Sequence, residues 1–287
     1  MTRKTIKITP TSALILEGGG MRGVFTSGVL DNFMERGIRF PFTIGVSAGA
    51  CNGLSYMSGQ QGRSKYCNID LLEKYRYISL KNLIFKGNIM DFDLLFRAIP
   101  ERLYPYDYEA YAGCSENFEM VTTSCKTGKA CYFNEKNNPA RIIEIVRASS
   151  SLPFVSPIAN VDGAPMMDGG VSDSIPLLRA QELGYDNNVV ILTRNKGYRK
   201  PTKKTTVPFF MYRKYPALRE AIRNRNKMYN KQIAIVEELE AAGRLTVIRP
   251  EQPITVGRME RDTHKLLALY EEGYQCAANI TFETRDR

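Results

Sequence analysis

Ser47 stands in Gly45-Val46-Ser47-Ala48-Gly49, a G-x-S-x-G run. Glycines on both sides of a serine suit a sharp turn between a strand and a helix, which lifts the hydroxyl above the sheet. A serine used as a nucleophile needs a base. The usual base is histidine, and this chain has 1, His264, far downstream. Either His264 serves, or another residue does, or the turn merely happens to carry a serine. Two more stretches bear on the choice. Gly18-Gly19-Gly20-Met21-Arg22-Gly23 lets backbone N–H groups converge on one point, as a phosphate or an oxyanion requires. Asp168-Gly169-Gly170 is, on its own, an ordinary turn. In company with the other two it places a carboxylate on a pliant backbone, where it could take the serine proton with no histidine between them.

The first glycine stretch also fits G-x-G-x-x-G at 18, 20 and 23, which invites a dinucleotide-binding reading. That reading needs an acid near the end of the second strand. Arg39 to Val46 offers none, and the strand runs into Ser47 instead. A glycine loop that only permits close helix–strand packing is the plainer alternative. For His264 the plain reading is a surface or packed histidine on an amphipathic stretch.

Elements must bring these pieces together. Ser12 to Glu17 is a short apolar run ended by glycines and reads as a buried strand. Val24, Phe25, Val29, Leu30, Phe33 and Met34 recur at helical spacing, with Gly37 as a stop. Phe40 to Val46 is a second strand, and small residues from Ala48 onward suit a helix packed closely on a sheet. Strand, loop, helix, strand, turn, helix is the opening of an α/β domain with a mostly parallel sheet. Further on, Asp91 to Arg97 reads as a short capped helix. Residues 118–124 and 130–133 flank Thr127-Gly128-Lys129 as a hairpin. Pro139 to Ser150 and Pro176 to Leu183 read as helices and Asn188 to Thr193 as a buried strand. Arg244 to Arg249 is expected to be the last strand, and an amphipathic segment from His264 to Ala278 to close the chain. No linker divides the sequence. The expectation is a single domain over 1–287, with a basic insertion at about 196–227 and a C-terminal helical region over 228–287.

Composition narrows the function classes. No apolar run approaches the roughly 20 residues needed to span a bilayer, and Ala13 to Leu16 is too short for a signal-peptide core. A cytoplasmic protein, peripheral on the inner membrane face at most, is the expectation. The 6 cysteines form no C-x-x-C pair, and with 1 histidine little is left to build a zinc site. The net charge of +10 is concentrated: eleven Lys and Arg lie between Lys196 and Lys227 against one acid, Glu220. Tyr198, Phe209, Phe210, Tyr212 and Tyr215 are interspersed. This block is a solvated basic face, or a contact for an anionic membrane surface into which Phe209 and Phe210 insert. Specific nucleic-acid binding is not expected, because no helix-turn-helix, RNP or zinc pattern accompanies the charge.

Taken in order, the three motifs resemble the patatin-like phospholipase family, whose members carry a G-G-G-x-R-G loop, a G-x-S-x-G serine and a D-G-G/A aspartate. A fourth stretch, Ala148-Ser149-Ser150-Ser151-Leu152-Pro153, is similar to the family's A-S-x-x-x-P segment. The resemblance covers roughly 12–195, and beyond Pro201 the chain looks closer to a bacterial subgroup with an added C-terminal region. It implies a three-layer α/β/α fold with a central, mostly parallel sheet. It implies a Ser–Asp dyad of Ser47 and Asp168, with no metal and no cofactor. Gly19 and Gly20, with neighbours Gly18 and Met21, would form the oxyanion hole, and Arg22 would support the loop that Gly23 closes. Gly45 and Gly49 would shape the serine turn, and Gly169 and Gly170 the aspartate turn. The implied substrate is a lipid or another fatty-acyl ester. A general carboxylesterase, a thioesterase and a non-catalytic lipid-binding module stay open beside it.

Overall fold

The computed structural model describes residues 4–284. Met1 to Arg3 and the last three residues, which fall within the single domain expected over 1–287, lie outside the described residues. The strands are β1 Lys4–Ile8, β2 Ser12–Leu16, β3 Phe42–Val46, β4 Asn117–Ser124, β5 Ala130–Phe133, β6 Ala159–Val161, β7 Ala164–Asp168, β8 Asn187–Ile191, β9 Leu245–Ile248 and β10 Ile280–Thr284. The helices are α1 Val24–Glu35, α2 Ala48–Met57, the short α3 Arg63–Lys65, α4 Leu71–Tyr75, α5 Leu80–Lys86 and α6 Tyr108–Gly113, then α7 Pro139–Ser149, α8 Leu177–Glu182, α9 Pro216–Ala241 and α10 Thr263–Ala278.

The main sheet runs β6-β7-β4-β3-β2-β8-β9, with β5 paired to β4. From β4 through β3, β2 and β8 to β9 every pairing is parallel, and β5, β6 and β7 join antiparallel at one side. β2 and β3 are buried along their whole length. That is the mark of parallel strands covered on both faces, and it explains why their sequences read as apolar runs rather than as alternations. Alternate residues of β2 feed opposite cores. Leu14 and Leu16 pack with Val24, Phe25 and Leu54 on the side of α1 and α2. Ala13 and Ile15 pack with Tyr229, Ile233 and Val236 of α9 and Leu177 of α8 on the other. The result is the three-layer α/β/α arrangement expected from the sequence.

Three expectations are corrected. Residues 245–248 do form a strand, but not the last one: β10 follows α10 and pairs in parallel with β1 in a separate two-stranded sheet. The region beyond 228 is therefore not purely helical. Ties back to α1 hold it, including a 2.8 Å hydrogen bond from the Tyr270 hydroxyl to Asp31. The short helix expected at 91–97 is part of a longer, wider-wound turn in which Leu94–Leu103 is π-helical with Pro100 inside it. Proline supplies no N–H, so the regular ladder cannot continue through it.

Candidate active site

Ser47 follows β3 directly and begins α2, with φ 55 and ψ −120. A left-handed φ at a non-glycine residue is strained and persists only where the surroundings enforce it. Here the crossing of strand and helix enforces it. A β-carbon on Gly45 would lie 2.6 Å from the carbonyl oxygen of Gly49, and one on Gly49 would lie 2.5 Å from that of Leu16. Only glycine fits at either place, which is the physical content of the G-x-S-x-G spacing. The Ser47 carbonyl accepts the first bonds of α2, from Ala50 N at 2.9 Å and Cys51 N at 3.1 Å. The N-terminus of that helix, with its partial positive charge, stands behind the serine.

Asp168 ends β7, where it pairs with Thr122 of β4, and Val121 pairs with Val46 of β3. Asp168 is thus two strands across from the serine turn and level with it, about 10 Å along the sheet at backbone spacing. Its turn is tightly held. Oδ1 accepts from Gly170 N at 2.7 Å, and its carbonyl accepts from Thr123 Oγ1 at 2.8 Å. It is 1% exposed. Burial pushes its carboxyl above the usual carboxylate range, offset in part by the Arg225 guanidinium, the Ser47 hydroxyl and the Gly170 N–H. The Ser47 hydroxyl is thus near enough to stabilise the carboxylate, yet Oδ2 has no aligned hydrogen-bond partner. Such contacts tighten when substrate fills a site.

The glycine loop follows β2, the strand beside β3, so both loops leave the same carboxyl edge of the sheet. Gly20 has φ +59, and a β-carbon there would meet the Arg258 carbonyl oxygen at 2.6 Å. Gly18 lies over the serine turn, 3.0 Å from the Val46 carbonyl by the same measure. The Met21 N–H is taken by Arg258 O at 3.0 Å. Met21 is therefore not a free oxyanion donor, contrary to what the resemblance implies, and its side chain lines a cavity instead. Among the described residues no acceptor meets the N–H of Gly19 or Gly20. Gly23 packs against Ala48 of the serine turn. Arg22 does more than sit beside the loop: it is buried, and it points with Arg194, Lys200, Arg225 and Arg258 into a polar cleft that also reaches Ser47 and Asp168.

The fourth stretch explains itself in the structure. Ser149 Oγ accepts the Ser47 N–H at 2.9 Å and donates to Val121 O at 2.6 Å. Ser151 O accepts the Asp168 N–H at 2.9 Å. One short segment at the C-terminal end of α7 therefore braces both candidate residues. A buried N–H left without a partner costs about 1–3 kcal/mol, which the Ser149 hydroxyl avoids at the serine turn. The sequence offered this segment only as a likeness, with no role for Ser149 or Ser151.

An apolar cavity of about 140 Å³ opens at Ser47, with walls that include Met21, Leu54, Tyr77, Phe92, Phe96 and Val146. The wide-wound Leu94–Leu103 turn supplies part of it. His264 lies elsewhere, exposed in the first turn of α10 with its N–H on Asp262 Oδ1 at 3.1 Å. Among the described residues no cluster of His, Cys, Asp and Glu could hold a metal ion, and all six cysteines are free. Likewise, no helix among the described residues is long and apolar enough to cross a membrane. The basic block is not one solvated face. Residues 196–215 form a loop that leads into α9, Lys200 is buried, and Arg225 reaches the site, while Lys203, Lys204, Arg213 and Lys214 are exposed.

Residues 14–180 match a family model described as "Patatin-like phospholipase", and residues 215–284 match one described as "Domain of unknown function (DUF6363)". The uncharacterized protein YjjU of Escherichia coli (strain K12) is 32% identical over 187 residues, which are 63% of this chain and 51% of that protein. An uncharacterized NTE family protein of Mycobacterium bovis, Mb1092c, is 26% identical over 183 residues, 64% of this chain and 49% of that one. The chain spans about half the length of the curated relatives it matches. The crystal structure of VipD from Legionella pneumophila overlaps 93% of this chain and 66% of its own, with a TM-score of 0.44 and 15% identity.

Proposed function

The chain belongs to the patatin-like phospholipase family, and from that premise we propose that it is a serine acyl hydrolase acting on carboxylic esters of lipids, with Ser47 as nucleophile and Asp168 as base. The observation that carries the reading is the strained Ser47, set between an apolar cavity and a buried carboxylate. Asp168 takes the hydroxyl proton as Ser47 Oγ attacks the ester carbonyl. The Gly19 and Gly20 N–H groups stabilise the oxyanion, and the protonated Asp168 gives its proton to the departing alcohol. Water then loses a proton to Asp168 as it attacks the acyl-serine, and collapse of the second tetrahedral intermediate releases the fatty acid while Asp168 returns that proton to Ser47 Oγ. An ordinary aspartate is a weak base, with a pKa near ~3.9. Burial raises Asp168 above that value and so toward working pH, where a general base is more effective.

The apolar cavity makes chain length the test of substrate class. Each methylene buried contributes about 0.8 kcal/mol, so two or more are enough for about tenfold. A long-chain ester of 4-nitrophenol is expected to be cleaved with kcat/KM at least about tenfold above the acetyl ester. A flat dependence on chain length counts against a lipid substrate.

We propose also that the exposed part of the basic block touches anionic membrane surfaces. Phe209 and Phe210 are 78% and 65% exposed, beside the exposed Arg213 and Lys214. Such cations contribute roughly 1 kcal/mol each near an anionic surface. In co-sedimentation the protein is expected to favour anionic over neutral vesicles, and to lose that preference when Lys203, Lys204, Arg213 and Lys214 are changed to Gln. Equal binding to both vesicle types removes the idea.

A further inference from the structure

A polar cleft opens beside Ser47, and its walls carry five basic side chains, Arg22, Arg194, Lys200, Arg225 and Arg258, against the two carboxylates of Glu17 and Asp168. Both acids are engaged. Glu17 Oε2 accepts from Thr193 N at 2.5 Å and Thr193 Oγ1 at 3.0 Å, and Asp168 Oδ1 accepts from Gly170 N. Among the described residues none of the five cations has a salt-bridge partner. Arg22 and Lys200 are 5% and 9% exposed, and Nε of Arg22, Arg194 and Arg225 has no hydrogen-bond partner. Aromatic faces hold two of them instead: Arg194 lies 4.4 Å from the Tyr198 ring and Lys200 3.7 Å from that of Tyr229. A ring face attracts a cation without occupying all of its donors. Lys200 is further fixed by paired bonds between its backbone and Asn230 of α9, at 2.8 and 2.9 Å.

Buried cations without partners are costly, and the protein relieves the cost only in part. Burial, Arg225 and Arg258, and then Arg22, pull the Lys200 ammonium down to about 6, with Glu17 opposing. An anion bridging the set would supply what the walls lack, through charge-assisted hydrogen bonds. The cleft is small and polar, which suits a compact group rather than a chain, and it shares Gly20, Ser47 and Leu152 with the apolar cavity.

We propose that Arg22, Arg194, Lys200, Arg225 and Arg258 form an anion subsite beside Ser47 that takes a tetrahedral phosphate, borne by the alcohol portion of the acyl ester or free in solution. The inference rests on Ser47 and Asp168 being the hydrolytic pair. It then places the acyl chain in the apolar cavity, the scissile carbonyl at the junction and a phosphate only a few bonds away on the leaving-group side.

Two measurements on the intact chain test it. Sulfate, which does not titrate near neutrality, is expected to bind at constant ionic strength and to bind more tightly as pH falls from about 9 to about 6, as Lys200 regains its proton. The groups facing Lys200 are Glu17, Arg22, Arg225, Arg258 and Tyr229. Lys200→Met and Arg194→Met are expected to weaken sulfate by at least about tenfold, the scale of one lost charge-assisted bond, with Arg194→Lys retaining part of it. The second measurement compares kcat/KM for a 1-acylglycerol 3-phosphate with that for the uncharged 1-acylglycerol of the same chain. A preference of at least about tenfold for the phosphate ester that is lost in both Met variants assigns the subsite to the substrate's own phosphate. Sulfate binding with a ratio near unity assigns it to free phosphate. Neither signal, or a preference that survives both substitutions, overturns the subsite provided a fluorophosphonate still labels Ser47. Absence of that label overturns the serine reading instead.

Discussion

Ser47→Ala is expected to lower kcat for ester hydrolysis on the order of 10⁶-fold, to the background of an empty oxyanion site. The expectation follows from the division of labour around the turn. Among the described residues no other hydroxyl combines a position directly after β3, a strained φ of 55 and a place in the wall of the apolar cavity. Ser149 and Ser150 are near, but Ser149 is committed to the Ser47 N–H and the Val121 carbonyl, and Ser150 faces Cys51 Sγ at 3.6 Å. The variant should fold, because alanine keeps the backbone bonds from Ala50 and Cys51 to the carbonyl of residue 47. Fatty-acid release assayed by mass spectrometry measures the loss. Hydrolysis within tenfold of wild type, on the order of one kcal/mol of barrier, sinks the nucleophile assignment.

Asp168→Asn is expected to cost roughly 10⁴-fold in kcat, the scale seen when an amide replaces the acid of a serine-based site. The amide fits the same space and its oxygen can still accept from Gly170 N, so the geometry survives while basicity is lost. The pH dependence gives a sharper reading. The base works deprotonated, so the wild-type rate should fall as pH drops through a pKa held above the ordinary carboxylate value by burial. Arg225 opposes that rise, so Arg225→Met should move the acid limb to higher pH. Stability carries the opposite sign. A carboxyl whose folded pKa lies above its unfolded value favours the folded state while protonated, and that contribution is lost as pH rises through the folded pKa. Near neutrality Asp168 is then a burden on the fold, and Asp168→Asn should raise the melting temperature there while it removes activity. Unchanged acid limbs in both variants would assign the base elsewhere.

The parts of this molecule that were legible in its sequence are those governed by local rules. β2 and β3 showed as apolar runs because strands covered on both faces need no polar alternation. The glycines at 45 and 49 were legible because their spacing is a steric requirement of the turn. The parts that were not legible depend on where distant segments dock. Nothing in β10 marks it as the partner of β1, hundreds of residues earlier in order and joined only by pairing. Arg258 closes the glycine loop through its backbone carbonyl, which any residue could supply. Lys200 and Arg225 were counted as part of a basic block, and only the docking of α9 turns these two inward while Lys203 and Arg213 stay outside. A signal for Ser149 did exist: a serine at the end of an amphipathic helix in a recurrent short motif. Its task became visible only once β4 lay beside β3.

The proposed chemistry stands on Ser47 being an activated nucleophile. The direct measurement is reaction of the purified chain with a fluorophosphonate, followed by mapping of the labelled peptide by mass spectrometry, in wild type, Ser47→Ala and Asp168→Asn. This requires no choice of lipid. A single adduct on Ser47 is expected, absent in Ser47→Ala and much slower to form in Asp168→Asn. A folded wild type that acquires no adduct at Ser47, or one that labels equally without Asp168, would contradict it.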